Sequence, residues 1–96
     1  MSSTVLKADD KLKDILTKVR PGVEKNCSQK VTCFEPIEYR VSEVIGTMYL
    51  VKVDIGLTHH YLHLEMYDSP SSGPFPVALS VNNMRNDPMV PLVWRE

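Results

Sequence analysis

The sequence predicts an α+β domain in two layers: one kinked N-terminal helix packed on an antiparallel meander sheet of four to five strands. Two observations carry this. Residues 8–26 space their apolar side chains as a helix does, and from Val31 onward the spacing becomes two. A helix with one apolar stripe and a sheet with one apolar face must cover each other, which gives two layers. A third observation bounds the answer: 96 residues leave room for a single core, so 1–96 is read as one domain.

In the helix, Leu12, Ile15, Leu16, Val19 and Val23 form one stripe, while Lys11, Lys13, Asp14, Lys18 and Glu24 fall opposite. Asp9 and Asp10 suit a helix start, where negative charge meets the positive end of the dipole. Pro21 removes one helical hydrogen bond and Gly22 weakens the next turn. A kinked helix that frays before Asn26 is expected.

The strands follow in order. In Val31–Val41 the apolar face is Val31, Cys33, Ile37, Tyr39 and Val41, and Pro36 calls for a bend, a bulge or an edge position. In Thr47–Ile55 it is Tyr49, Val51, Val53 and Ile55; Gly56-Leu-Thr58 then turns the chain. Tyr61–Tyr67 places Leu62, Leu64 and Met66 on one face and His63 and Glu65 on the other. Asp68–Pro76 is rich in Pro, Ser and Gly and is read as a loop. Val77–Val81 is a fourth strand, Asn82–Pro91 is polar and turn-rich, and Leu92–Trp94 suits a last short strand. Sequential antiparallel strands of this kind form a meander with one face wet.

Composition excludes several classes. Eleven Lys and Arg against twelve Asp and Glu give a net charge of −1, so there is no basic field for nucleic acid or an anionic membrane. No apolar run is long enough to span a bilayer. The first residues are polar, and Asp9 and Asp10 follow, so no secretory signal is read and a cytoplasmic location is expected. Cys27 and Cys33 are too few for a disulfide-built domain and are expected as half-buried free thiols.

No constellation of chemistry emerges. His59 and His63 share a strand face about 13 Å apart, at about 3.3 Å per residue, and His60 points the other way. No metal site is assigned, and the three histidines are read as a solvated hairpin end. Cys27 or Cys33 paired with a histidine lacks local support as a dyad. The four glycines, at 22, 46, 56 and 73, form no phosphate loop. Neither cofactor nor catalytic residue is expected.

What stands out is shape. Ser42-Glu-Val-Ile-Gly46 reads as a tight turn between two strands, and a meander brings Asp68–Pro76 to the same end. Val44 and Ile45 are β-branched and apolar within that turn. On pattern alone, a partner-binding edge and a tightly packed hairpin with Val44 tucked inward are both open.

The residues also carry a likeness. Lys18-Val-Arg-Pro21 with Glu24 and Lys25, Ser42-Glu-Val-Ile-Gly46-Thr47, Tyr49-Leu-Val-Lys-Val53 with Gly56, His63-Leu64 with Ser69, Pro76-Val-Ala-Leu-Ser80 and Leu92 all fall in register with one family. From about Ile15 to Trp94 the chain resembles the stefins, or type 1 cystatins. Their first-hairpin motif, Gln-x-Val-x-Gly, is matched by Val44 and Gly46, with Ser42 in the glutamine position.

The resemblance implies the cystatin-like fold and the activity of a reversible, competitive inhibitor of papain-like cysteine proteases of the cathepsin type. It implies three binding segments. These are an N-terminal trunk (Met1, Ser2, Ser3, Thr4 and Val5), a first hairpin loop (Ser42, Glu43, Val44, Ile45 and Gly46) and a second hairpin loop (Ser69, Pro70, Ser71 and Ser72). The chain departs from the family in having no glycine before Gly22 and in placing Pro70-Ser71 where a stefin has Leu-Pro. The alternative is a stefin-fold interaction or self-assembly module with weak or lost inhibition. The protein is expected as a monomer or as a homodimer that swaps the helix and first strands.

Overall fold

The computed structural model describes residues 5–27, 29–43 and 46–89, and for Asn82 the backbone alone. The element order is β1 (Leu6–Lys7), α1 (Asp10–Asn26), β2 (Glu35–Glu43), β3 (Thr47–Asp54), β4 (Tyr61–Ser69) and β5 (Gly73–Asn83). The strands form one antiparallel sheet in the order β1-β2-β3-β4-β5. This is the cystatin-like α+β architecture, with five strands.

Asp9 starts the helix by accepting a hydrogen bond from the Leu12 amide on Oδ1 at 2.9 Å, a cap that contributes about 1 kcal/mol. The stripe Leu12, Ile15, Leu16, Val19 and Val23 is buried against Val51, Val53, Leu62, Leu64 and Met66 of the sheet and Ile55 just beyond β3. Each such side chain stabilises the fold by about 1.5–3 kcal/mol. The helix runs through Pro21 and reaches Asn26, further than expected. Pro21 and Thr17 are both exposed, so water can solvate the Thr17 carbonyl that Pro21 leaves without a donor. Gly22 has a use that propensity hides: a Cβ there would lie 3.1 Å from Pro76 Cγ. Its absence lets the helix approach β5 closely.

Several strand boundaries differ from the sequence reading. The second strand begins at Glu35, not Val31. Residues 31–34 instead trail along the end of β3, where the Thr32 amide donates to the Ile55 carbonyl at 3.0 Å. Pro36 lacks an N–H, and the register shifts between Pro36 and Glu38, the bulge that a proline there requires. Asp68–Pro76 is not a long loop. β4 runs to Ser69 and β5 starts at Gly73, which leaves Pro70–Ser72 as the turn. Pro74 and Pro76 are tolerated because β5 is an edge strand. β5 also continues to Asn83, past the expected end at Val81. The strand read at Leu92–Trp94 lies outside the described residues.

The largest correction concerns the outer face of the sheet. Two transverse rows lie there, Arg40–Leu50–Glu65–Ala78 and Glu38–Lys52–His63–Ser80. Arg40, Leu50, Lys52, His63 and Glu65 are all buried. The segment after β5 covers Arg40, Leu50 and Lys52. Its turn is closed by the Asp87 amide donating to the Met84 carbonyl at 3.1 Å and the Met84 amide to Asp87 Oδ2 at 2.7 Å. Lys52 Nζ donates to the carbonyls of Arg85 and Asp87 and to Glu38 Oε1. Arg40 Nη1 donates to the Met89 carbonyl at 2.8 Å, and Met89 packs on Leu50. His63 is therefore no part of a solvated hairpin end.

Candidate functional site

One end of the sheet gathers the expected segments. β2 ends at Glu43 and β3 begins at Thr47, opposite each other. Thr47 in turn pairs with Asp68, so Ser69 lies beside Gly46 across the sheet. β1 is antiparallel to β2, with Leu6 opposite Tyr39 and Lys7 opposite Glu38. Val5 therefore leaves the sheet on the Glu43 side of β2. Val5, Ser42, Glu43, Gly46, Ser69, Pro70, Ser71 and Ser72 all lie toward this end. Met1, Ser2, Ser3, Thr4, Val44 and Ile45 lie outside the described residues, and so does the hinge expected for an exchange between copies.

Local chemistry builds each part. Gly46 has φ +77°, a left-handed conformation that favours glycine. A Cβ on Gly46 would also lie 2.7 Å from Tyr67 Cζ and 2.9 Å from its Cε1, so the ring fills the space a side chain would need. In the second turn Ser69 Oγ accepts from the amides of Ser71 at 3.2 Å and Ser72 at 3.3 Å. That arrangement satisfies two amides of an exposed turn with one hydroxyl. Gly73, at φ +76°, lets the chain re-enter the sheet. Pro70, Ser71 and Ser72 are exposed, as is Glu43.

Beneath the first loop, Tyr39 and Tyr49 face the helix with ring centroids 6.1 Å apart. Tyr39 donates its hydroxyl to Asp9 Oδ2 at 3.4 Å, which links β2 to the helix cap. Burial pushes both phenols up; the Asp9 carboxylate adds to it at Tyr39, and Asp68 adds to it at Tyr49. Both rings stay uncharged and serve as packing.

Catalytic chemistry finds no support here. Cys27 and Cys33 are both free and half-buried. Burial, and then the Asp54 carboxylate, push the Cys33 thiol up, the opposite of what a nucleophilic cysteine needs. Among the described residues no group of three or more His, Cys, Asp or Glu side chains could hold a metal ion. Among them, too, no helix is long and apolar enough to cross a membrane.

Tyr67 is not among the residues that the sequence assigns to the site, since it falls on a strand face; Phe75 stands at the far end of the second loop that the resemblance implies, roughly Ser69–Phe75. The one available signal was a lone aromatic between two prolines, Pro74-Phe75-Pro76.

No family model matches the chain. Cystatin-B of Macaca fuscata fuscata is 30% identical over 78 residues, which cover 81% of this chain and 79% of that protein. This chain belongs to the stefin family. Stefin-2 of Mus musculus is 35% identical over 65 residues, 68% of this stefin and 62% of the relative. Leukocyte cysteine proteinase inhibitor 1 of Sus scrofa is 34% identical over 62 residues, 65% and 59% of the two chains. Against these last two, this stefin spans under two thirds of the relative's length. The relatives' names are those of stefins, cystatins and a proteinase inhibitor, not of enzymes.

Proposed function

We propose that this stefin is a reversible, competitive inhibitor of papain-like cysteine proteases, acting by plugging the active-site cleft. The observation that carries the reading is the convergence at one sheet end of the exit of Val5, the Glu43–Gly46 connection and the Ser69–Gly73 turn. The relatives' names support the target class. The strands already fix Glu43 and Thr47 at the foot of the first connection and Ser69 and Gly73 at the foot of the second, so this edge can enter a cleft at low entropic cost. Such a plug covers the catalytic cysteine without holding a peptide bond in attack geometry, so it is not cut. In this role Gly46 lets the backbone approach the cleft floor, and Pro70–Ser72 contacts the opposite wall. The free thiols of Cys27 and Cys33 fit a reducing, cytoplasmic compartment.

Titration of papain with the purified protein tests this. A rise in apparent KM with unchanged kcat, and an intact Ser42–Gly46 segment by mass spectrometry afterwards, is the expected result. Full papain activity at high micromolar protein would reject inhibition and leave a stefin-fold interaction module.

A further inference from the structure

The edge is held together by a side chain that belongs to neither loop. Tyr67 lies in β4, opposite Met48 on one flank and Phe75 on the other. Toward the first loop, its ring rim fills the space where Gly46 would carry a Cβ. Toward the second, its ring meets Phe75 edge-on, with centroids 5.7 Å apart and planes at 73°. Phe75 is the second residue after Gly73, which closes the second turn, and it is 43% exposed. The foot of the first loop, the Tyr67 ring and the exit of the second loop thus touch in direct succession.

Each link restricts the next. Pro74 and Pro76 fix φ on both sides of Phe75, so the Phe75 ring is presented at little entropic cost. The edge-on arrangement is the one aromatic quadrupoles favour, and it fixes the tilt of the Tyr67 ring. Gly46 has the widest backbone freedom of any residue type and no side chain of its own to limit it. The Tyr67 ring supplies that limit from outside.

We propose that Tyr67 is the positioning residue of this edge, and that Phe75, by holding the Tyr67 ring, sets the backbone geometry of Gly46 at the foot of the first loop from two strands away. The functional half of the proposal rests on the inhibitor reading above. Two loops coupled in this way enter a cleft as one body, and uncoupling them shortens the life of the complex.

The test uses the full chain and two variants of an exposed residue, Phe75→Ala and Phe75→Tyr. Amide hydrogen exchange at Gly46, Thr47 and Met48 reads the coupling without any protease. Phe75→Ala is expected to speed exchange there about fivefold while helix amides keep their rates, and Phe75→Tyr to restore it. Release from papain is expected to become about tenfold faster in Phe75→Ala, with association changed less than about twofold. Unchanged exchange at residues 46–48 in Phe75→Ala would overturn the positioning role, whatever happens to affinity. Faster exchange with unchanged release would overturn its importance for binding. Faster exchange in a protein that binds papain in no form, wild type included, supports the coupling and overturns the inhibitor reading instead.

Discussion

Lys52 and Asp87 are 35 residues apart in sequence, yet Lys52 Nζ donates to the Asp87 carbonyl at 3.0 Å. That bond, with its partner to the Arg85 carbonyl, pins the segment after β5 across the outer face of the sheet. Lys52 itself is 2% exposed. A buried ammonium is tolerable only because all three contacts, including Glu38 Oε1 at 3.2 Å, satisfy it.

Lys52→Met keeps most of the length of the unbranched side chain and removes its charge and donors. The Arg85 and Asp87 carbonyls then lose their shared partner, and Met89 loses part of what holds it on Leu50. A stability loss of about 2 kcal/mol is expected, read as a lower urea midpoint. A loss below about 0.5 kcal/mol would show that the covering segment adds little to the fold.

His63 makes stability depend on pH. Burial, and then the nearby Lys52 charge, push its imidazole below the ordinary value, with Asp87 and Glu38 opposing in part. Among the described residues its Nε2 has no hydrogen-bond partner. In the unfolded chain the imidazole takes up a proton near pH 6.5, whereas the fold resists protonation until lower pH. Between those two pKa values the unfolded state binds more protons, so stability falls as pH drops below about 6.5 and levels off beneath the folded value. Urea midpoints between about pH 7.5 and about pH 5 check this. His63→Gln should flatten the difference; an equal slope in both proteins would place the pH dependence elsewhere.

Gly46→Ala is penalised twice, by the left-handed backbone and by the Tyr67 ring, which must swing aside for a methyl group. The strain is about 1–2 kcal/mol and falls on the loop, since the strands on either side can keep their register. Inhibition of papain is expected to weaken about tenfold or more while the far-ultraviolet circular dichroism stays native. An unchanged inhibition constant would mean that the Gly46 loop does not rest in the cleft.

Deleting residues 1–4 is expected to cost less than about 1.4 kcal/mol, or tenfold, in affinity. The segment they lead into has a light hold on the sheet: among the described residues Leu6 and Lys7 pair with β2, the Ala8 amide adds one long bond to the Ile37 carbonyl at 3.4 Å, and Val5 is 50% exposed and Leu6 39%. Ordering more of the trunk costs about 1–2 kcal/mol per residue, against few apolar anchors. Dissociation rates of native and truncated chains from one protease decide it, and a hundredfold loss would show that the trunk already binds well.

The inner half of this protein was legible because its signal is local. The spacing of Leu12, Ile15, Leu16, Val19 and Val23, and the alternation of Val51, Val53, Leu62, Leu64 and Met66, follow from helix and strand geometry, and the same residues form the core. The permissive glycine before Thr47 could also be read locally, since Gly46 does adopt positive φ. The outer half depended on tertiary structure. Lys52, His63 and Glu65 give the same polar signal whether they face water or lie buried under a covering segment, and what covers Lys52 comes from over thirty residues away. Proline and serine likewise marked Asp68–Pro76 as a loop, because composition does not register that an edge strand can accept Pro74 and Pro76. The coupling of the two loops through Tyr67 was equally out of reach. Gly46, Tyr67 and Phe75 have no periodic relation along the chain; only the register of β3, β4 and β5 brings them into contact.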